Sequence, residues 1–254
     1  MEDEKLEVLE FGDKSKRKII LIHGFQSPYQ VWDKYIKHYE NEFHILVPIL
    51  PGHNPKQIED FISFEKVAGE LEDYYITKYG KEVYAIYGMS MGGVLTATLW
   101  RRNKLCIHKL IFDGSPIVSI NGFMKNMMTC FYLNITHKTQ RRDKKTLEQA
   151  KKSIISKECF APFLEVLDNM SDETIKNCIG DISSFHVTGD INTSDTEIYF
   201  YYGTAMNEML AKKSAKYLAK HYSNVKVKCF KGRGHCELAL LYPDMMIEEL
   251  EEVL

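Results

Sequence analysis

Apolar residues recur along the chain in two rhythms. Short runs over residues 6–11, 18–22, 43–50, 83–87, 109–112, 197–202 and 225–230 have the length and the β-branched or aromatic content of strands. Between them, apolar positions return at three- and four-residue spacing. Val31, Tyr35, Ile36 and Tyr39 form one such set, Phe64, Val67, Ala68 and Leu71 a second, and Ala215, Leu218, Ala219 and Tyr222 a third. With residues 91–102 and 244–254, these predict helices, and Ser63 is placed to cap the second of them. The polar turn at Gly12-Asp13 predicts that the first two strands form a hairpin. Strands alternating with helices predict an α/β fold, a mostly parallel central sheet with helices on both faces. The alternation stops over residues 117–193, where helical spacing continues without a strand. That stretch is expected to be a helical cap inserted into a core made of residues 1–116 and 194–254.

Composition narrows the function. The 254 residues carry 33 Lys and Arg against 35 Asp and Glu, a formal charge of −2, which excludes a general nucleic-acid binder. Hydrophobic residues make up 44%, enough for a core, yet no apolar run approaches a membrane span. The acidic, polar start Met-Glu-Asp-Glu-Lys does not read as a secretory leader, so a cytoplasmic location is expected. Six cysteines form no C-x-x-C pair and are expected to be free thiols. Neither G-x-G-x-x-G nor G-x-x-x-x-G-K-[ST] occurs, and no metal or other cofactor is expected.

The chemistry gathers around one serine. Gly88-Met89-Ser90-Met91-Gly92 matches G-x-S-x-G, for which this composition gives about 0.05 chance matches per chain. It follows an apolar strand and opens a helix, the setting of a nucleophile on a sharp turn. Gly88 and Gly92 leave room for that turn, and the helix start behind Ser90 offers free N–H groups to developing negative charge. Acyl chemistry at a serine needs two oxyanion donors. Met91, next to the nucleophile, can supply one, and Phe25, in the loop His23-Gly24-Phe25 at the end of an early strand, the other. A base must also reach the serine. His235, in Gly232-Arg233-Gly234-His235 just after the last strand, is the candidate. His23 and His53 read as structural.

Taken in order, His23-Gly24-Phe25, Leu50-Pro51-Gly52-His53, Gly88-Met89-Ser90-Met91-Gly92-Gly93 and Gly232-Arg233-Gly234-His235 resemble the α/β-hydrolase superfamily, specifically its small serine esterases with a helical cap. The resemblance spans nearly the whole chain. It implies a serine nucleophile, a late histidine base and water as second substrate, acting on a small ester or thioester. It also places the triad acid three residues after the glycine that ends the penultimate strand. That position holds Met206, which cannot orient a histidine. Two carboxylates remain as candidates: Glu208, if the loop bulges, and Asp113, at the end of the strand after the nucleophile helix. A protein with neither in place would bind a ligand without turning it over, and this is the alternative reading.

Within residues 117–193, Phe123, Met124, Met127, Met128, Phe131 and Tyr132 recur at helical spacing; the face either packs on the core or roofs the serine, with Met124, Met127, Met128 and Phe131 expected to receive an apolar acyl or aryl group. The basic stretch from Lys138 to Lys152 reads as a solvated helix face or as an anion-binding rim. The sequence leaves the oligomeric state open.

Overall fold

The computed structural model describes residues 6–254; the acidic start over residues 1–5 lies outside the described residues. Among the described residues seven strands form one open sheet: β1 (Val8–Phe11), β2 (Lys18–Ile22), β3 (His44–Pro48), β4 (Glu82–Met89), β5 (Cys106–Asp113), β6 (Glu197–Gly203) and β7 (Val225–Phe230). Their spatial order is β1-β3-β2-β4-β5-β6-β7. Only β1 runs antiparallel, pairing Val8 with Pro48 and Phe11 with Ile45 on β3.

The expected hairpin between the first two strands does not form, because β3 lies between them. All five residues of β3 are buried. Placed inside the sheet, the strand has its backbone paired on both edges and its side chains covered on both faces, whereas β1, half-buried throughout, suits the edge.

The described residues also form ten α-helices: α1 (Asp33–Tyr39), α2 (Phe64–Tyr79), α3 (Met91–Arg102), α4 (Gly122–Gln140), α5 (Lys144–Ser153), α6 (Phe160–Asn169), α7 (Asp172–Ser184), α8 (Met209–His221), α9 (Glu237–Leu241) and α10 (Pro243–Glu251). Ser63 caps α2 as expected, its Oγ accepting from Lys66 N at 3.1 Å. Asn103 ends α3 in the left-handed region, with its N–H bonded back to Leu99 and Trp100. Helix α3 is buried from Met91 to Trp100, packing behind the centre of the sheet. This places its N-terminus at the carboxyl ends of β2, β4 and β5, where ligands bind in open parallel sheets.

Between β5 and β6 the chain runs through α4 to α7 without a strand. Helices α4 and α7 are antiparallel: His137 bonds Asp172 at 2.7 Å near one end, and Ile120 N bonds Ser183 O at 3.0 Å near the other. A row of polar contacts ties α7 to the segment that leads into α2. Asp181 Oδ2 accepts from Phe64 N at 2.6 Å, Thr174 Oγ1 accepts from Phe61 N at 3.1 Å, and Asn177 Nδ2 donates to Phe61 O at 2.9 Å.

Candidate active site

The turn from β4 into α3 holds Ser90 at φ 52°, ψ −113°, a left-handed conformation that L-residues seldom adopt. Two glycines permit it. A Cβ on Gly88 would lie 2.3 Å from Thr96 Oγ1, and one on Gly92 would lie 2.3 Å from Ile22 O. The turn is fastened sideways as well, since Ser90 N donates to Asp113 O at 2.7 Å. Met91 is the first residue of α3, so its N–H has no carbonyl one turn back to bond.

His235 follows β7 and meets the serine from the far side of the cleft. Its Nε2 lies 2.8 Å from Ser90 Oγ, and its Nδ1 lies 2.5 Å from Glu208 Oε1. An ionised carboxylate only accepts, so Nδ1 carries the proton and Nε2 is left to accept from the serine hydroxyl. Glu208 is buried, and its second oxygen accepts from Gly203 N at 2.7 Å.

Glu208 comes within reach of His235 although the expected position of an acid holds Met206. After Gly203 the chain makes a 3₁₀ turn over Met206–Glu208. With about three residues per turn, it swings Met206 outward, where it is 83% exposed, and carries Glu208 inward to 1% exposure. Asp113, the rival, is buried beneath the site but takes its side-chain hydrogen bond from Tyr87 O–H at 3.0 Å rather than from the histidine. Burial, with the charge of Glu208 second, pushes the Asp113 carboxyl up to about 7.

The loop after β2 passes close to Ser90. Gly24 is near enough that a Cβ there would lie 3.4 Å from Ser90 Cβ, and Phe25 comes next. Two buried histidines hold this loop. His53 Nε2 accepts from Gln26 N at 3.0 Å and its Nδ1 bonds Pro51 O. His23 Nε2 accepts from Leu50 N at 3.2 Å and its Nδ1 bonds Gly24 O. Burial drives both below the usual imidazole range, His23 to about 4 and His53 to about 3. Gln26 itself sits at φ 59° and reaches α4, where its Nε2 donates to Thr136 Oγ1 at 2.6 Å. Neither histidine touches the serine in this arrangement.

A cavity of about 350 Å³ opens over Ser90, Phe25 and His235 and extends beneath α4. Met128 and Phe131 line it as expected; Met124 and Met127 do not, which corrects the expected set of lining residues. Met127 is exposed, because the inner stripe of α4 is Met128, Tyr132, Ile135 and Thr139. Tyr132 belongs to the apolar face read from the sequence, but Ile135 and Thr139 were not singled out. The i, i+3, i+7 spacing of Tyr132, Ile135 and Thr139 is present there, in competition with an equally apolar stripe through Phe123 and Met127. Among the described residues no Lys or Arg lines the cavity, although Thr146 and Ala150 of the basic stretch do. Arg142 instead pairs with Asp168 at 2.7 Å, and Lys151 lies over the Phe160 ring.

All six cysteines are free thiols, and among the described residues no cluster of His, Cys, Asp and Glu could hold a metal ion. No helix of the described residues is long and apolar enough to cross a membrane.

No family model matches the sequence, and no curated protein matches it. Solved structures do resemble it. A protein from Desulfitobacterium hafniense assigned to the alpha/beta hydrolase family superposes with a TM-score of 0.75 at 19% identity, covering 97% of this chain and 99% of that one. A carboxylesterase from Nitrososphaera gargenis gives 0.75 at 14% identity, covering 97% and 93%. A thermophilic esterase from Thermogutta terrifontis gives 0.74 at 14%, covering 97% and 92%. Sheet order, elbow and full-length superposition agree: this chain has the α/β-hydrolase fold.

Proposed function

We propose that the protein is a serine hydrolase that cleaves a small carboxylic ester through an acyl-enzyme on Ser90. The observation that carries this reading is the continuous relay from Glu208 Oε1 through His235 Nδ1 and Nε2 to Ser90 Oγ, at 2.5 and 2.8 Å. In the first step Ser90 Oγ attacks the carbonyl carbon while its proton passes to His235 Nε2. Glu208 fixes the imidazole tautomer and offsets the positive charge that then forms. The backbone N–H groups of Met91 and Phe25 receive the carbonyl oxygen as it becomes an oxyanion. The imidazolium returns its proton to the departing alcohol, and water repeats the sequence in reverse on the acyl-enzyme.

The segment of α4 to α7 acts as the cap. Met128, Phe131 and Tyr132 form the roof of the cavity, which favours an apolar acyl or aryl group. The carboxylesterase and esterase named among the structural neighbours support the same reaction class. The contact of Glu208 with His235 supports this reading over the ligand-binding alternative.

Treatment with a fluorophosphonate tests the reading. The reagent should label the wild type on Ser90 in stoichiometric amount, and p-nitrophenyl butyrate should be turned over with a burst. Ser90→Ala should abolish both while melting at a similar temperature. Undiminished turnover by that variant would overturn the mechanism.

A further inference from the structure

The loop after β2 puts two polar side chains into the cavity wall directly after the proposed oxyanion donor. Gln26 and Ser27 both line the cavity, and they are only 8% and 7% exposed. Gln26 also sits at φ 59°, which glycine would adopt without strain and a glutamine does not.

The neighbours of Gln26 decide which way its amide points. Thr136 Oγ1 donates to Tyr132 O at 2.8 Å, so toward Gln26 it can only accept. The NH₂ group therefore turns to Thr136 Oγ1 at 2.6 Å, with Met170 Sδ at 3.9 Å on the same side. This leaves Oε1, for which no donor is present among the described residues. Ser27 N donates to Gly24 O at 3.2 Å, whereas Ser27 Oγ has no hydrogen-bond partner among the described residues.

The remaining polar side chains of the lining are placed differently. Thr139 Oγ1 donates to Ile135 O, Thr146 Oγ1 to Asp143 Oδ1 and Ser153 Oγ to Gln149 O, each within its own helix or cap. Ser90 and His235 bond each other. Asn207 is exposed and Tyr132 half-buried, so both are open to water. Gln26 Oε1 and Ser27 Oγ are thus an enclosed acceptor and an enclosed hydroxyl side by side in sequence. Buried polar groups without partners are costly, and a ligand that supplies the missing bonds is favoured over one that does not.

Their chemistry selects the ligand group. An amide oxygen only accepts, so whatever meets Oε1 must donate, and a carboxylate there would set acceptor against acceptor. A serine hydroxyl both donates and accepts. A hydroxyl on the substrate can give its proton to Gln26 Oε1 and accept from Ser27 Oγ, pairing both groups at once. A methyl group in its place would pair neither.

We infer that the substrate carries a neutral hydroxyl on its acyl or alcohol part, bound between Gln26 and Ser27, and that these two residues determine specificity for it. The inference rests on the hydrolase reading for the bond cleaved, but the two unpaired groups stand without it.

Matched pairs of esters test it. Methyl 2-, 3- and 6-hydroxyhexanoate are compared with methyl hexanoate, and the monobutanoates of ethanediol, 1,3-propanediol and 1,4-butanediol with ethyl, propyl and butyl butanoate. For at least one pair the hydroxyl should raise kcat/KM about tenfold or more. Ser27→Ala and Gln26→Met should each cut that ratio at least threefold; the ratio within a pair cancels any general loss of activity. If Gln26→Met fails to fold, Thr136→Val should cut the ratio instead, because it frees the Gln26 amide from α4 without altering the loop. The inference is overturned if no hydroxylated ester exceeds its parent, if the variants lower both members of a pair alike, or if monomethyl adipate, with a carboxylate at its end, outruns every hydroxylated ester. Calorimetric binding to Ser90→Ala separates this from a failure of the hydrolase reading. One of the hydroxylated esters should bind about tenfold more tightly than its parent even if the wild type cleaves none of them, and equal binding within every pair would refute the site.

Discussion

Replacing Glu208 by glutamine is the sharpest perturbation of the proposed mechanism, because the structure dictates how the new amide must sit. One carboxylate oxygen faces His235 Nδ1 and the other faces Gly203 N–H. If the amide nitrogen turned toward Gly203, two donors would face each other and a buried N–H would lose its acceptor, at about 1–3 kcal/mol. The favoured orientation therefore keeps oxygen on Gly203 and points NH₂ at His235. The imidazole must then accept at Nδ1 and carry its proton on Nε2, where it faces Ser90 and cannot take the hydroxyl proton. A wrong-tautomer histidine in a serine protease costs about 10⁴ in kcat; with Glu208 equally buried, a loss of about 10³–10⁴ is expected here, or roughly 4–5.5 kcal/mol in barrier. The assay is kcat/KM on p-nitrophenyl butyrate, with a melting curve to establish that the variant is folded. Asp113→Asn, in parallel, should stay within about tenfold of the wild type. A folded Glu208→Gln that keeps a tenth or more of the activity would refute the reasoning, and the reverse ranking would transfer the role to Asp113.

Asp113 makes a separate prediction in stability. Its carboxyl titrates near 7 in the folded protein and near 3.8 when unfolded, so between those values the folded state holds a proton that the unfolded state has released. Stability contributed by this group is therefore lost as pH rises from about 4 to 7, and the melting-temperature gain of Asp113→Asn over the wild type should grow between pH 5 and 8. His23 and His53 act in the opposite range: with folded values of about 4 and about 3 against 6.5, they cost stability as pH falls below 6.5, and thermal melts from pH 7 to 4 should show a steady decline. His53→Ala strips the acceptor from Gln26 N–H, one residue past the proposed oxyanion donor. It should lower kcat by about tenfold or more with little change in KM, whereas a rise in KM alone would place His53 in substrate binding. Gly92→Ala would drive a methyl into the Ile22 carbonyl and should abolish soluble expression or activity altogether.

Most of the strands and the turn at Ser90 were legible in the sequence because both are local. An apolar strand, two glycines and a helix start specify the Ser90 elbow within about twenty residues, and α3 spans the residues 91–102 that its pattern predicts. What escaped depends on distant partners. The hairpin expectation failed because strand order is decided by which strand needs burial on both faces, and β3 can be recognised as that strand only once its neighbours are known. Glu208 could be offered but not chosen over Asp113, since the choice turns on a one-turn change of path after Gly203. The lining of α4 was misassigned for a related reason: a helix apolar on two stripes does not say which one faces inward, and packing against α6 and α7 decides it.

The polar row between α7 and the residues before α2 bears on how anything enters the site. Opening the four-helix segment by lifting α7 would break the bonds at Phe61 and Phe64 together, a cooperative event that costs several hydrogen bonds at once. Helix α5 carries no such row, and Ile154 at its end is both part of the cavity wall and partly exposed. Traffic should therefore pass at the α5 corner, with α7 as the fixed post. In hydrogen-exchange terms, the amides of α5 should exchange through small local openings, while those of α7 stay protected nearly to the limit set by global unfolding. Substrate capture and product escape would then be gated at α5, and turnover would follow the breathing of that helix before it followed the chemistry at Ser90.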